Sequence, residues 1–83
     1  MAIDYSRLRS LTARRLIRAL KQDGFVFERQ TGSHQQYRHP DGRRVTVSYH
    51  RSSDTFSTKI LRIMIEDQAR WAEDDLKRLG LVK

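Results

Sequence analysis

The spacing of apolar residues changes twice along this 83-residue chain, and that change restricts the fold more than any other feature. Between residues 11 and 23 the apolar side chains recur every three or four positions, as on one face of a helix. Between residues 25 and 49 they alternate with polar ones, as in strands that bury one face. Helical spacing returns between residues 57 and 70. This order predicts a small α+β fold.

Capping and turn residues give these elements approximate limits. Thr12 is a typical helix N-cap and Gly24 a typical residue after a helix end, so the first helix is predicted at about 13–23. The sequence His-Pro-Asp-Gly at 39–42 is typical of a turn. Three short antiparallel strands are therefore predicted at 25–30, 35–39 and 44–49, followed by a helix at 57–70 and a short extra helix at 72–79.

A helix, a three-stranded antiparallel sheet and a second helix would pack with both helices on one face of the sheet. This layout resembles that of a double-stranded-RNA-binding domain. We expect the core to include Phe25, Phe27, Ile60 and Met64, and residues 1–9 to form a polar lead-in. We expect a single domain over 1–83, with its main part at about 10–70 and an extension at about 71–83.

The charge of the chain points to a polyanionic ligand or a protein partner. Seventeen Lys and Arg residues against ten Asp and Glu give a net charge of +7, and thirteen of the cations are arginine. Arginine has the best shape for two-point contacts with phosphate. Five of the acidic residues lie within 66–75, so a basic body carries one acidic segment. Surface charge that serves only solubility is the alternative interpretation.

Several classes of protein are excluded by composition. The chain has no cysteine, which removes disulfide scaffolds and thiolate metal sites. Its longest apolar runs have three residues, whereas a membrane-spanning helix needs about 20. No apolar stretch follows Met1 as an export signal would. We therefore expect a cytoplasmic protein that neither crosses a membrane nor uses a cofactor.

All three histidines lie within 17 residues, together with a group of arginines. A metal site is not expected, because strand alternation puts His34 and His39 on opposite sides of their strand. The stronger hypothesis is phosphoryl transfer on RNA, in which a histidine takes the proton of a 2′-hydroxyl and arginines neutralise the phosphate. For any single histidine, a solvent-exposed residue without a catalytic role is the alternative. The residues concerned are His34, His39, His50, Arg38, Arg43 and Arg44.

Four segments carry a resemblance to a known family: GF at 24–25, RQTGSH at 29–34, YRHPDGRRVTV at 37–47, and His50. Together they resemble the HicA family of bacterial toxins, over about residues 10–65. Members of that family are small messenger-RNA interferases with a double-stranded-RNA-binding-domain fold, and each is paired with a HicB antitoxin. The resemblance implies that His34, in the Gly-Ser-His motif, is the catalytic residue.

The resemblance and the residues together predict a metal-independent endoribonuclease, the toxin of a toxin–antitoxin system, that cleaves messenger RNA through His34. Its expected partners are RNA and a HicB-type antitoxin. The predicted RNA-binding residues are Gly32, Ser33, Arg38, Arg43 and Arg44. His50 is a candidate for an auxiliary role, although the family commonly has proline where this chain has Ser48. The alternatives are an RNA-binding module without catalysis and a protein-interaction domain.

Three further features have two interpretations each. The cations of the first helix could lie along an RNA backbone or simply face solvent. Tyr37 and Tyr49 could stack on bases or pack in the core. Trp71 could anchor the last helix or lie at an interface. The cations concerned are Arg14, Arg15, Arg18 and Lys21.

Overall fold

The computed structural model describes residues 3–83 and has the predicted order of elements. In chain order these are a 3₁₀ turn (Tyr5–Leu8), helix α1 (Ala13–Gln22), strands β1 (Val26–Thr31), β2 (His34–Arg38) and β3 (Arg44–Ser48), helix α2 (Thr58–Arg62), a π-helical segment (Ile63–Gln68) and helix α3 (Glu73–Arg78). The prediction of an α+β fold with a short extra helix at the C-terminal end is confirmed. Within residues 3–83, no helix has the length and apolar character needed to cross a bilayer.

Helix α1 has the two end residues that its sequence predicts. The hydroxyl of Thr12 accepts a hydrogen bond from the backbone N–H of Arg15, at 3.2 Å. At the other end Gly24 has φ = +103°, a conformation that glycine adopts without steric cost. Between these ends Leu16 and Leu20 are fully buried. The helix therefore contributes one apolar face to the core.

The three strands form an antiparallel sheet in the order β1-β2-β3, with β2 in the centre. Thr31 pairs with His34, so Gly32 and Ser33 alone form the turn between β1 and β2. Gly32 has φ = +58° and Ser33 does not have a positive φ, as in a type II′ hairpin turn. A bulge interrupts β1 at Glu28. This bulge matters below because it places a carboxylate beside two arginines.

The sheet has one buried face and one open face. Tyr37 pairs with Val45, and both side chains are buried together with that of Val47. Alternation along the strands puts the intervening residues on the opposite side. We call this side the open face; in β2 and β3 it consists of His34, Gln36, Arg38, Arg44, Thr46 and Ser48.

The second helix is not the regular helix predicted for 57–70. It begins with Ser57 as N-cap, but from Ile63 it widens into a π-helical segment. In this segment the side-chain oxygen of Gln68 accepts a hydrogen bond from the backbone N–H of Thr46, at 3.0 Å. That N–H lies on the outer edge of β3, the last strand of the three-stranded sheet that residues 3–83 form. The widened segment thus satisfies a donor of the sheet edge.

Both ends of the chain belong to the core, which corrects the expectation of a polar lead-in at 1–9. Tyr5 and Leu8 are buried, and the hydroxyl of Tyr5 donates to the carboxylate of Glu66. Residues 1 and 2 of the lead-in lie outside the described residues. At the other end the buried residues are Trp71, Leu76, Leu79 and Leu81. The extension predicted at 71–83 therefore packs into the same core as the rest.

Two of the four predicted core residues were wrong. Phe25 and Met64 are buried, but Phe27 is 50% exposed and Ile60 is 43% exposed. Phe27 lies on the edge strand β1, where its ring makes an edge-to-face contact with Tyr37, at 5.8 Å between ring centroids. Ile60 lies beside the buried stripe of its helix, which begins at Leu61. Alternation and helical spacing do not distinguish an edge position from a central one.

Candidate functional site

His34 is the first residue of the central strand, immediately after the Gly32-Ser33 turn. Its register partners are Thr31 on β1 and Ser48 on β3. The side chain is exposed on the open face. Among residues 3–83, the hydrogen bonds and ion pairs of histidine rings involve His39 but not His34. Its imidazole is therefore available to a ligand.

The turn before His34 is tied to the segment after β3. The carbonyl of Ser33 accepts a hydrogen bond from the N–H of Tyr49, at 3.1 Å. The next residue, His50, is exposed, and its own N–H donates to the carboxylate of Asp54 at 3.0 Å. Hydrogen bonds from the N–H groups of Arg51 and His50 lower the pKa of Asp54. His34 and His50 thus lie at the same end of the sheet.

Arg38 and Arg44 lie at the opposite end of the open face. They are register partners, and their side chains are 56% and 61% exposed. The Glu28 carboxylate at the bulge lies 3.8 Å from a guanidinium nitrogen of Arg38 and 4.0 Å from one of Arg44. Arg38 lies four positions after His34 on one strand, which corresponds to about 13 Å. The structure therefore places these residues on one surface, but not in one pocket.

Two residues between these groups were missed as site residues from sequence. Nε of Arg29 donates to the side-chain oxygen of Gln36 across β1 and β2, at 3.1 Å. Gln36 lies midway between His34 and Arg38 on the open face. For Gln36 the signal was the alternation that starts at His34, whereas the bulge at Glu28 shifts the alternation of β1, so no local pattern marked Arg29. The polar surface is thus continuous from the turn to the arginines.

Arg43 does not lie with the other two predicted arginines. Its guanidinium donates to the carboxylate of Asp41 at 2.8 Å and to the carbonyl of Ala69 at 2.6 Å. It also forms an ion pair with Asp23 at 3.3 Å and lies over the ring of Phe25 at 5.0 Å from the centroid. Only 18% of its side chain is exposed. These contacts give Arg43 a structural task within the fold.

His39 belongs to the same structural group. Its Nε2 lies 2.8 Å from the carbonyl oxygen of Asp23, and its Nδ1 accepts a hydrogen bond from the N–H of Asp41 at 3.1 Å. The carbonyl oxygen can only accept, so the proton of the neutral ring is on Nε2. The ring edge also meets Phe25 at 5.1 Å. Both nitrogens of His39 are occupied by the protein itself.

Asp23, just after α1, joins these groups to the C-terminal helix. Its carboxylate accepts hydrogen bonds from Nε1 of Trp71 and from Arg78, each at 2.9 Å. Burial opposes ionisation of Asp23, but these donors and the charge of Arg43 outweigh it and lower its pKa. Of the two interpretations of Trp71, the first is therefore correct: this residue anchors the last helix. We call this group the Asp23 network; it consists of Asp23, His39, Asp41, Arg43, Trp71 and Arg78.

A cleft of about 410 Å³ opens between α1 and the chain after β3; we call it the α1 cleft. Its lining residues are Arg14, Ile17, Arg18, Lys21, Tyr49 and Ser52. Arg14 donates to the hydroxyl of Ser52 at 3.2 Å. Arg15 is not among them and donates instead to the carbonyl of Gly80 at 3.3 Å. Three of the four cations noted on the first helix thus share one cleft.

The two strand tyrosines differ in exposure. Tyr37 is buried, and its hydroxyl donates to the side chain of Gln35 at 2.7 Å. Burial and the neighbouring Tyr49 raise the pKa of Tyr37. For Tyr37 the packing interpretation is correct. Tyr49 is only partly buried and lines the α1 cleft.

Within residues 3–83, no three His, Asp or Glu side chains gather in a way that could hold a metal ion.

Comparison with known proteins identifies the family. The model of the HicA toxin of bacterial toxin–antitoxin systems matches residues 13–70, well over half of the chain. No curated protein matches the chain. The matched segment begins with α1 and includes the Gly32-Ser33 turn, the whole open face and the α1 cleft. The chain therefore belongs to the HicA family of bacterial toxins.

Proposed function

We propose that this HicA toxin is an endoribonuclease that cleaves messenger RNA without a metal ion, with His34 as its catalytic residue. The observation that carries the proposal is the exposed imidazole of His34 at the start of the central strand. It follows a two-residue turn and forms no hydrogen bond or ion pair within residues 3–83. His39, in contrast, has both ring nitrogens engaged.

The proposed reaction is an internal transfer of the phosphoryl group. His34 takes the proton of a ribose 2′-hydroxyl as the 2′-oxygen forms a bond to the adjacent phosphorus. The bond from phosphorus to the 5′-oxygen breaks, and that oxygen takes up a proton from the imidazolium or from water. The products are a 2′,3′-cyclic phosphate and a 5′-hydroxyl. General acid–base assistance of this kind contributes about 10²- to 10⁴-fold to the rate.

The open face supplies a surface for the RNA backbone. Arg38 and Arg44 are more than half exposed and can exchange the Glu28 carboxylate for phosphate groups. At the turn, a Cβ added to Gly32 would meet no atom within 4 Å. A phosphate can therefore approach the backbone of Gly32 and Ser33 beside His34. We assign Arg43 the role of holding the strand end rather than the RNA, because its guanidinium is engaged by Asp23, Asp41 and Ala69.

The same surface suits an antitoxin. A HicB-type partner with acidic side chains would cover His34 and pair with Arg38 and Arg44, which would block access to RNA. Inhibition would then need no change in the fold of the toxin.

A cleavage assay tests the proposal. Labelled messenger RNA is incubated with the purified protein, and with its His34→Ala and His50→Ala variants, in the presence of EDTA. We expect discrete fragments with cyclic phosphate ends from the unsubstituted protein and none from His34→Ala. Fragments from His34→Ala at the full rate would overturn the role of His34. A gel shift without fragments, from the unsubstituted protein, would show an RNA-binding module without catalysis.

A further inference from the structure

We propose that the α1 cleft binds one nucleotide of single-stranded RNA beside the cleavage site. The base would lie on Tyr49 and Ile17, and its phosphate would lie among Arg14, Arg18 and Lys21. This inference rests on the proposed function, since it assigns a second subsite for the same RNA.

The chemistry of the cleft matches a nucleotide. Its lining combines the apolar side chain of Ile17 and the aromatic ring of Tyr49 with three cations and the hydroxyl of Ser52. An aromatic ring next to cationic groups is the combination with which proteins bind single-stranded RNA, since every base has a stacking face and every linkage a negative charge. The volume of about 410 Å³ suits one nucleotide and is too small for a duplex. The bases of a duplex are also stacked inside and do not reach such a cleft.

The cleft lies close to His34. Tyr49 lines the cleft, and its N–H donates to the carbonyl of Ser33, the residue before His34, at 3.1 Å. Tyr49 continues the buried-face alternation of Val45 and Val47, whereas His34 is on the open face. The cleft and His34 are therefore on the two sides of one sheet end. An RNA strand that passes around the Gly32-Ser33 turn can occupy both.

Binding of a non-cleavable probe tests the inference separately from cleavage. We would titrate ¹⁵N-labelled protein with a hexamer of 2′-O-methyladenylate, in which no 2′-hydroxyl can attack. We expect amide shifts at Ile17, Tyr49 and Ser52. An abasic hexamer with the same backbone should bind clearly more weakly. Absence of shifts at these residues, or equal binding of the abasic hexamer or of hexaglutamate, would overturn the inference.

Two sets of variants sharpen the test. Tyr49→Leu removes the stacking ring and should weaken binding of the adenylate hexamer by about 5- to 100-fold, whereas Tyr49→Phe should bind like the unsubstituted protein. Equal affinity of the Leu and Phe variants would overturn the role of the ring. If the unsubstituted protein binds the hexamer in the cleft but cuts no RNA, the proposed function fails and this inference stands.

The cations of the cleft have a control of equal charge outside the cleft. Arg14→Gln combined with Lys21→Gln should weaken binding several-fold more than Arg9→Gln combined with Arg15→Gln. Both pairs lower the net charge by two, but only the first pair lines the cleft. Equal losses from the two pairs would show a general effect of charge and would overturn the cleft as a subsite.

Discussion

The two ends of strand β2 carry the same residue type in opposite situations. At the turn end, the imidazole of His34 is exposed and forms no hydrogen bond or ion pair within residues 3–83. Just after the other end, His39 binds Asp23 and Asp41 through both ring nitrogens and packs on Phe25. Two arginines differ in the same way: Arg44 is exposed on the open face, whereas Arg43 is engaged within the Asp23 network.

The difference separates residues that hold the fold from residues that can act on a ligand. Polar groups whose partners lie inside the protein stabilise the fold and are unavailable to substrate. Polar groups left exposed on a rigid strand contribute little stability but are held in position. The Asp23 network therefore fixes the end of the sheet next to His39. The candidate site uses exposed residues outside that network: His34 at the other end, and Arg38 and Arg44 on the open face.

The largest expected effect is on the cleavage rate, which should depend on His34 but not on His39. His34→Ala should lower the cleavage rate by about 10²- to 10⁴-fold with little change in stability, because His34 has no internal partner. His39→Ala should leave the rate nearly unchanged but cost about 1–3 kcal/mol of unfolding free energy, since it leaves the groups of Asp23 and Asp41 without their partner. Fragment analysis and urea denaturation of both variants measure this. Loss of cleavage activity in a folded His39→Ala protein would contradict the difference between the two histidines.

The two adjacent arginines should differ in stability. Arg43→Gln removes the ion pairs with Asp23 and Asp41 and should cost about 2–3 kcal/mol. Arg44→Gln removes a long, exposed ion pair and should change the unfolding free energy by less than about 0.5 kcal/mol. Urea denaturation followed by the fluorescence of Trp71 compares the two variants. Equal losses would contradict the division between residues engaged inside the fold and residues left exposed.

Two glycines with nearly equal φ allow a finer test of the Asp23 network. Gly24 has φ = +103° and Gly42 has φ = +99°. Alanine at either position should cost about 1–2 kcal/mol from backbone strain. A Cβ at Gly24 would also lie 2.9 Å from Nε2 of His39, whereas one at Gly42 would meet no atom within 4 Å. Thermal or urea unfolding should therefore show the larger loss for Gly24→Ala, and equal losses would mean that His39 moves aside without cost.

Lowering the pH should decrease the unfolding free energy, because it protonates the carboxylate of Asp23 in the Asp23 network. Burial opposes its ionisation, but the hydrogen bonds from Trp71 and Arg78 and the charge of Arg43 lower its pKa in the folded protein. The stabilisation is therefore present above the unfolded pKa of about 3.9 and is lost as the pH falls through the lower folded value. Unfolding free energies measured from pH 6 to pH 3 should fall less steeply for Asp23→Asn than for the exposed-site control Asp74→Asn. If the unfolding free energies of the two variants fell in parallel with pH, Asp23 would make no such contribution to stability.

The smallest expected effect is on the salt dependence of RNA binding. Arg38→Gln and Arg44→Gln should each reduce the dependence of log K on log salt by about 0.7 if each arginine contacts one phosphate of single-stranded RNA. Binding of the 2′-O-methyl hexamer between 50 and 200 mM salt measures the slopes. A slope unchanged in both variants would remove these residues from the RNA surface.

Local features of the sequence were enough to predict much of the fold. Thr12 and Gly24 limit α1 as predicted, because capping depends on residues three or four positions apart. The strand predicted at 35–39 placed His34 next to a strand end. Arg43 and Arg44 were both predicted to bind RNA, but Arg43 lies outside β3 and is engaged by the Asp23 network.

The sequence by itself determined the order of the elements, the family and the position of His34 near a strand end. Only the tertiary structure decided which polar residues are engaged and which are exposed. The partners of Asp23 and Arg43 include Trp71, 48 positions away, and Ala69, 26 positions away. The α1 cleft likewise combines α1 with Tyr49. Periodicity and capping act over a few residues, whereas these contacts depend on how distant segments pack, so no local pattern contains them.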